Sequence, residues 1–271
     1  MSGKFLPIAA AIGFGLALHA APTAAATVQL NMTGGYTYGS SSVQMYQTGL
    51  GAGSSFITTG AGGLVGAITG SPLPTLFWCD ELFQYLQTGA QTYTVNIMTT
   101  GSVASQYTPA LTATTAPQLN ALISRGQTYV ASRSSGSDRT YASAALQLAI
   151  WAFLYNGNTS AVDNIGNNLN LSGTEGTNWN AQVRIYANNY FTCVLLGNDA
   201  GDACSTGGWT ADSSVEVRNY SLSGKQSFLA TVATGGDSSG GVGTPEPASL
   251  TVLAMGLLGF GAIRRRISRS A

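Results

Sequence analysis

Histidine is almost absent from this 271-residue chain: its one histidine, His19, lies in an apolar N-terminal segment. Once that segment is removed, as argued below, the remaining protein has none. Histidine is the side chain most often used as a general base, a triad member or a metal ligand at neutral pH. The sequence therefore excludes histidine-dependent hydrolases and histidine metal sites, and it predicts neither a metal ion nor an organic cofactor.

Charged side chains are also scarce, at 8% of all residues. Residues 27–243 carry six basic and ten acidic side chains, a net charge near −4. Binding to nucleic acid depends on clusters of Lys and Arg that neutralise phosphates, so this balance argues against a nucleic-acid partner. Gly, Ser, Thr and Asn are abundant instead, which is typical of an exported, β-rich domain with polar loops.

The remaining classes of enzyme find little support. No Gly-x-Ser-x-Gly motif is accompanied by a usable base. Asn198, Asp199 and Asp202 give a weak hint of a calcium loop, but an ordinary acidic turn is the favoured interpretation. The sequence predicts a protein that is not an enzyme.

The N-terminus has the three parts of a secretory signal. Lys4 supplies a positive charge, residues 5–18 form an apolar core, and Ala24 and Ala26 flank a small-x-small cleavage site. A membrane anchor would need about 20 apolar residues, which this run does not reach. Residues 1–26 are therefore predicted to be a cleaved signal peptide, which places the mature protein in an exported compartment.

The C-terminus has three parts in a fixed order. Pro245, Glu246 and Pro247 precede an apolar stretch at residues 248–263, and Arg264, Arg265 and Arg266 follow it. As a helix this stretch would span about 24 Å. Snorkelling arginines can make up the shortfall against the bilayer and hold that end on the cytoplasmic side. A buried core helix is the less favoured alternative.

These residues resemble a PEP-CTERM sorting segment. The resemblance implies a Gram-negative bacterium that makes exopolysaccharide. It also implies transient retention at the inner membrane and processing by an exosortase and the export machinery, with release to the cell surface or the extracellular matrix. The predicted organisation is a signal peptide at 1–26, an exported domain at 27–234, a Gly/Ser linker at 235–243 and a sorting and anchor segment at 244–271.

The exported domain alternates between strand and helix patterns. Short strands are predicted before residue 98, with residues 91–98 half-buried. Helices are predicted near Pro117, at 139–155 and at 179–190, and closing strands at 213–218 and 226–233. The fold class is therefore α+β, a β-rich sandwich or barrel with a central helical insertion, flanked by a signal helix and a C-terminal membrane helix.

Three cysteines are present, which is an odd number for an oxidising compartment. Cys193 and Cys204 are separated by a short Gly- and Asp-containing loop that closes easily, so a disulfide between them is predicted. Cys79 is then left over. A small buried apolar residue is the simple interpretation of a free cysteine.

Gln147 is the second unusual residue, because it interrupts the most apolar helix of the chain. A buried carboxamide without partners costs about 1–3 kcal/mol. Either Gln147 bonds to a neighbouring loop backbone, or the Cys79 thiolate has attacked its amide carbon and formed a thioester with loss of ammonia.

The segments Phe77-Trp78-Cys79-Asp80 and Leu146-Gln147-Leu148-Ala149-Ile150-Trp151 resemble the two motifs of thioester domains in bacterial surface adhesins. The resemblance implies an internal Cys79–Gln147 thioester that acylates an amine or hydroxyl of a surface protein or exopolysaccharide. The alternative is a non-covalent structural component of the exopolysaccharide or biofilm matrix.

The residues around these motifs leave further alternatives open. Asp80 or Glu81 could orient an attacking amine, although capping of a turn is favoured. Tyr85, Tyr93 and Trp151 could shield a thioester from water, or could simply pack in the core.

Overall fold

The computed structural model describes residues 26–47, 55–71, 75–81, 84–105, 108–156, 169–170, 178–196, 204 and 208–234. Of the predicted signal peptide only Ala26 falls within them. The linker, the sorting segment and the acidic loop with Asp199 and Asp202 lie outside the described residues. Within the described residues, no helix combines the length and the apolar character that a membrane crossing requires.

Six antiparallel strands close into a barrel in the order β1, β4, β5, β9, β8, β6, and β6 pairs back onto β1. Their bounds are Ala26–Tyr36 (β1), Leu64–Ile68 (β4), Thr75–Cys79 (β5), Gly89–Ile97 (β6), Val215–Ser221 (β8) and Phe228–Ala233 (β9). Strands Ser41–Gln47 (β2), Ser55–Ala61 (β3) and Leu169–Asn170 (β7) form a separate sheet in the order β3, β2, β7. The predicted α+β class is confirmed, and of the two predicted β architectures the structure contains the barrel.

Three helices lie between β6 and β8, as the sequence predicts. They are Thr115–Ser132 (α1), Ser137–Asn156 (α2) and Asn178–Phe191 (α3), and α3 continues into a π-helical turn at Thr192–Leu196. Helix α2 is rich in Ala and Leu, which favour helix. Its residues 142–155 are each at most 3% exposed, because α1, α3, the three-stranded sheet and β5 of the barrel surround it.

Strand alternation divides the apolar side chains between two cores. Phe77 and Phe228 point into the barrel, where Phe77 also makes an edge-on contact with Tyr220. Their chain neighbours Trp78 and Leu229 point outward and pack beneath the helices. Each fully buried large apolar side chain contributes about 1.5–3 kcal/mol, so the barrel wall between the two cores is stabilised from both sides.

A disulfide joins Cys193 in the π-helical turn to Cys204. It packs against Tyr129 of α1 and against Trp209. The backbone N–H of Trp209 also donates to the Cys193 carbonyl at 2.8 Å. The disulfide ties the end of α3 to the segment that leads back into the barrel. It leaves Cys79 as a free cysteine.

Gly66 of β4 tests how tightly the barrel interior is filled. A Cβ at this position would lie 2.6 Å from the Met32 sulfur and 2.8 Å from the Phe77 ring. We expect Gly66→Ala to destabilise the protein by about 1–3 kcal/mol in urea unfolding, because a buried ring cannot yield without strain. Gly35→Ala in β1 is the matched control, since the nearest atom to its Cβ would be 3.5 Å away. Equal urea midpoints for the two variants would contradict the tight packing around Gly66.

Candidate functional site

The site forms where β5 ends beside the middle of α2. Antiparallel pairing of β4 with β5 ends at Leu64 and Phe77. In a β-strand, the backbone N–H and C=O groups of every second residue point to the same side. Those of Cys79 therefore point to the side on which β4 pairs with Phe77. Gly62 and Gly63, which precede Leu64, do not continue this pairing. The N–H and C=O of Cys79 therefore need another partner.

The Gln147 carboxamide supplies that partner. The Cys79 N–H donates to Gln147 Oε1 at 2.9 Å, and Gln147 Nε2 donates to the Cys79 carbonyl at 2.7 Å. Together the two bonds imitate one step of a β-ladder. The two residues that the sequence singled out are therefore in direct contact, and Gln147, at 1% exposure, has partners for both ends of its amide.

Two further polar side chains of α2 extend this contact along the rim of the barrel. Ser143, one turn before Gln147, accepts a hydrogen bond from the Gly63 N–H at 3.1 Å. The Thr140 hydroxyl donates to the Tyr38 carbonyl at 2.7 Å. Residues three and four apart lie on one face of a helix. Helix α2 therefore docks through a polar row set in an otherwise apolar surface.

Gly63 allows this close approach. A Cβ there would lie 2.6 Å from the Leu76 side chain and 3.2 Å from the Trp78 ring. Its N–H binds Ser143, and its carbonyl accepts from the Thr37 N–H at 2.9 Å. The glycine therefore lets the backbone reach the helix at the point where β4 begins.

Burial sets the protonation state of Cys79. It raises the pKa of the thiol well above its usual range, and the nearby Asp80 carboxyl raises that pKa further. The resting group is therefore a neutral thiol, and a nucleophilic step would have to remove its proton during attack.

Asp80 is buried as well, at 0% exposure. Burial and then the negative charge of Glu81 raise the pKa of its carboxyl well above the usual range, although a hydrogen bond from Asn219 Nδ2 opposes this. Its backbone N–H donates to the Ser227 carbonyl. The Asp80 carboxyl therefore binds a side chain of β8, while hydrogen bonds from the backbone N–H groups of Asp80 and Glu81 lower its pKa, as a turn cap would. Its second carboxyl oxygen has no partner.

The aromatic residues proposed as a shield fall into two groups. Tyr93 and Trp151 are buried, as core packing requires, and so is Trp78 of the first motif. Tyr85 is 93% exposed, so both sequence interpretations of it, a shield and a core residue, are wrong. It follows β5, and among the described residues no packing partner covers its ring.

Several buried polar atoms near the two motifs have no partner. They are Trp78 Nε1, Asp80 Oδ1, Tyr93 OH and Trp151 Nε1. Burial and the Cys79 thiol both raise the pKa of Tyr93. Such groups are uncommon in folded proteins. In the described part of the chain, no group of His, Cys, Asp and Glu residues could hold a metal ion.

The arrangement is suited to one reaction in particular. The Cys79 N–H points at Gln147 Oε1, the atom that would carry negative charge if the sulfur attacked the carboxamide carbon. The Cys79 carbonyl holds the nitrogen that would leave. The oxygen and the nitrogen of the Gln147 amide are thus both hydrogen-bonded to the backbone of Cys79, the residue that carries the sulfur.

Comparison with known proteins adds no relative. No protein-family model, no curated protein and no solved structure matches the chain.

Sequence reasoning found Cys79 and Gln147 but missed Asn219 and Ser143. The contact of Asn219 with Asp80 depends on the pairing of β5 with β9 and of β9 with β8, which no local pattern reveals. Ser143 did carry a signal, because it is a polar residue one turn before Gln147 in an apolar helix.

The pH dependence of stability tests the buried state of Asp80. In the unfolded chain its carboxyl titrates near 3.8, whereas in the folded protein it keeps its proton to a much higher pH. The folded state then binds more protons, so above pH 4 the free energy of unfolding falls as pH rises, by up to about 1.4 kcal/mol per unit. We expect Asp80→Asn to reduce this fall in urea unfolding between pH 5 and pH 8, while Glu81, whose pKa burial also raises, keeps part of it.

Asp212→Asn is the control for that measurement. The Asp212 pKa is lowered by hydrogen bonds from Ser214, so its contribution is lost only as pH falls through the acidic range. The control should keep the wild-type slope above pH 5. An unchanged slope in Asp80→Asn would show that Asp80 is ionised in the folded state.

Proposed function

We propose that this protein is an exported covalent adhesin whose Cys79 and Gln147 form an internal thioester. The observation that carries the proposal is the pair of hydrogen bonds that holds the Gln147 carboxamide on the backbone of Cys79. The order of the two motifs, one at the end of a strand and one on a central helix, is what the resemblance to thioester domains leads one to expect.

Formation of the thioester conserves atoms without a co-reactant. The Cys79 sulfur bonds to the Gln147 side-chain carbonyl carbon, and the carbon–nitrogen bond breaks. The proton from the thiol goes to the leaving nitrogen, which departs as ammonia. The Cys79 N–H remains available to the carbonyl oxygen throughout. The product is less polar than the carboxamide, which suits the buried position of the Gln147 side chain.

The thioester would act once, on a partner. An amine or hydroxyl attacks the carbonyl carbon, an amide or ester forms through Gln147, and the Cys79 sulfur leaves and takes up the proton of the attacking group. Because no turnover follows, we propose an adhesive rather than an enzymatic role. The partner is a surface protein or an exopolysaccharide.

The proposed location rests on the two chain ends. A signal peptide at 1–26 would export the domain, and the PEP-CTERM-like segment would hold it at the inner membrane through a C-terminal helix. Exosortase processing would then release it to the cell surface or matrix. An exported location also agrees with the Cys193–Cys204 disulfide, since such bonds persist in oxidising compartments.

Intact-mass measurement of the purified full chain tests the thioester. We expect a mass lower by one ammonia than the sequence requires, because ammonia leaves when the bond forms. Methylamine should then add to Gln147 and free the Cys79 thiol for alkylation. Peptide mapping supplies an internal control, since Gln127 in α1 has no cysteine beside it and should remain unmodified.

Cys79→Ala is the matched variant, and comparison with it removes any effect of signal or tail processing on the mass. It should show neither the ammonia deficit nor the methylamine adduct. A wild-type chain with its full mass and a freely alkylated Cys79 would overturn the proposal.

One observation favours a second candidate, a non-covalent structural component of the matrix. Both ends of the Gln147 amide already have hydrogen-bond partners, so the residue needs no covalent role to be tolerated in the core. In this case Gln147 serves only to dock α2, and the full-mass result above is the expected one.

A further inference from the structure

A polar pocket lies on the outer face of the barrel, near the candidate site but separate from Cys79 and Gln147. Its volume is about 630 Å³, within the range of roughly 300–1,000 Å³ that is usual for small-ligand sites. Neither the thioester proposal nor the docking of α2 accounts for it.

Strand register builds the floor of this pocket. Thr94 of β6 lies opposite Ser221 of β8, and Asn96 lies opposite Asn219. These four side chains share the outer face, because the alternate residues Tyr93 and Tyr220 fill the barrel interior. Two adjacent cross-strand pairs therefore present hydroxyl and carboxamide groups side by side.

Three loops form the walls. Ser223 and Ser227 come from the β8–β9 connection, Val103 and Ser105 from the segment after β6, and Gln84 from the loop after β5. Tyr85, the next residue, leaves its ring exposed to solvent, and Val103 is 51% exposed. A mostly polar lining thus lies close to exposed apolar surface.

The pocket is tied to the buried core through Asn219, which is 2% exposed. Its side-chain nitrogen donates to Asp80 and, at 3.3 Å, to the Ala104 carbonyl. These bonds fix the floor and the Val103–Ser105 wall relative to each other. A wall held in place before binding lowers the entropic cost of ordering a ligand.

The chemistry of the lining selects the class of ligand. Hydroxyls and carboxamides both donate and accept, as the hydroxyl groups of a sugar require. Among the lining residues none is basic, which disfavours phosphate or carboxylate ligands, and Glu81 is the one carboxylate. We propose that this pocket binds a neutral saccharide, with Glu81 accepting from sugar hydroxyls and Val103 and Leu222 contacting its C–H groups. The site does not depend on thioester formation.

Calorimetric titration of the purified full chain tests the proposal. The probes are cellohexaose, maltohexaose and chitohexaose as neutral saccharides, polygalacturonate as an anionic one and cadaverine as an amine. We expect at least one neutral hexasaccharide to bind. Asn96→Ala, at an exposed position, should weaken that binding about five- to tenfold through the lost hydrogen bonds.

Three variants make the result specific. Ser223→Trp, on the exposed turn, should block the pocket and abolish binding without disturbing the core. Thr92→Ala, on the same face of β6 but outside the pocket, should leave the affinity unchanged. Cys79→Ala should leave it unchanged too, which separates this site from the acyl donor. Binding by no neutral probe, binding only by a charged probe, or full affinity in both Asn96→Ala and Ser223→Trp would overturn the proposal.

Discussion

The pairing of a helix side chain with a strand backbone is the interaction on which the rest of this structure depends. Gln147 takes the place that the next residue of a neighbouring strand would occupy beside Cys79. Without it, a buried N–H and a buried C=O would lose their partners at a cost of about 1–3 kcal/mol each. The position of α2 on the barrel, and with it the core around Trp78, follows from this contact.

The same contact links architecture to chemistry. A carboxamide held at both ends cannot rotate away from the residue that carries the sulfur, and the N–H that orients it is also the donor that would stabilise a developing oxyanion. Burial favours the neutral form of both the Cys79 thiol and the Asp80 carboxyl. The pocket behind Asn219 faces solvent and is built from hydroxyls and amides. The fold thus separates the Cys79–Gln147 contact from the polar pocket, and the two are joined through Asp80, which follows Cys79 and binds Asn219.

Local patterns predicted the helices and the two motifs, because these depend on residues close in sequence. Helix α2 has good helix formers throughout, and Gln147 is conspicuous within it. The choice between sandwich and barrel could not be made, since closure depends on the pairing of β1 with β6, more than fifty residues apart. The Asn219–Asp80 contact and the exposure of Tyr85 were unpredictable for a related reason: each depends on which distant strand or loop lies beside it.

A crystal structure of the purified protein at atomic resolution would show whether the thioester forms. We expect a covalent bond that joins Cys79 Sγ to the side-chain carbonyl carbon of Gln147, with Nε2 gone and the carbonyl oxygen still accepting from the Cys79 N–H. Persistence of the unreacted arrangement in the purified protein, an intact Gln147 carboxamide that donates to the Cys79 carbonyl beside an unbonded sulfur, would contradict it.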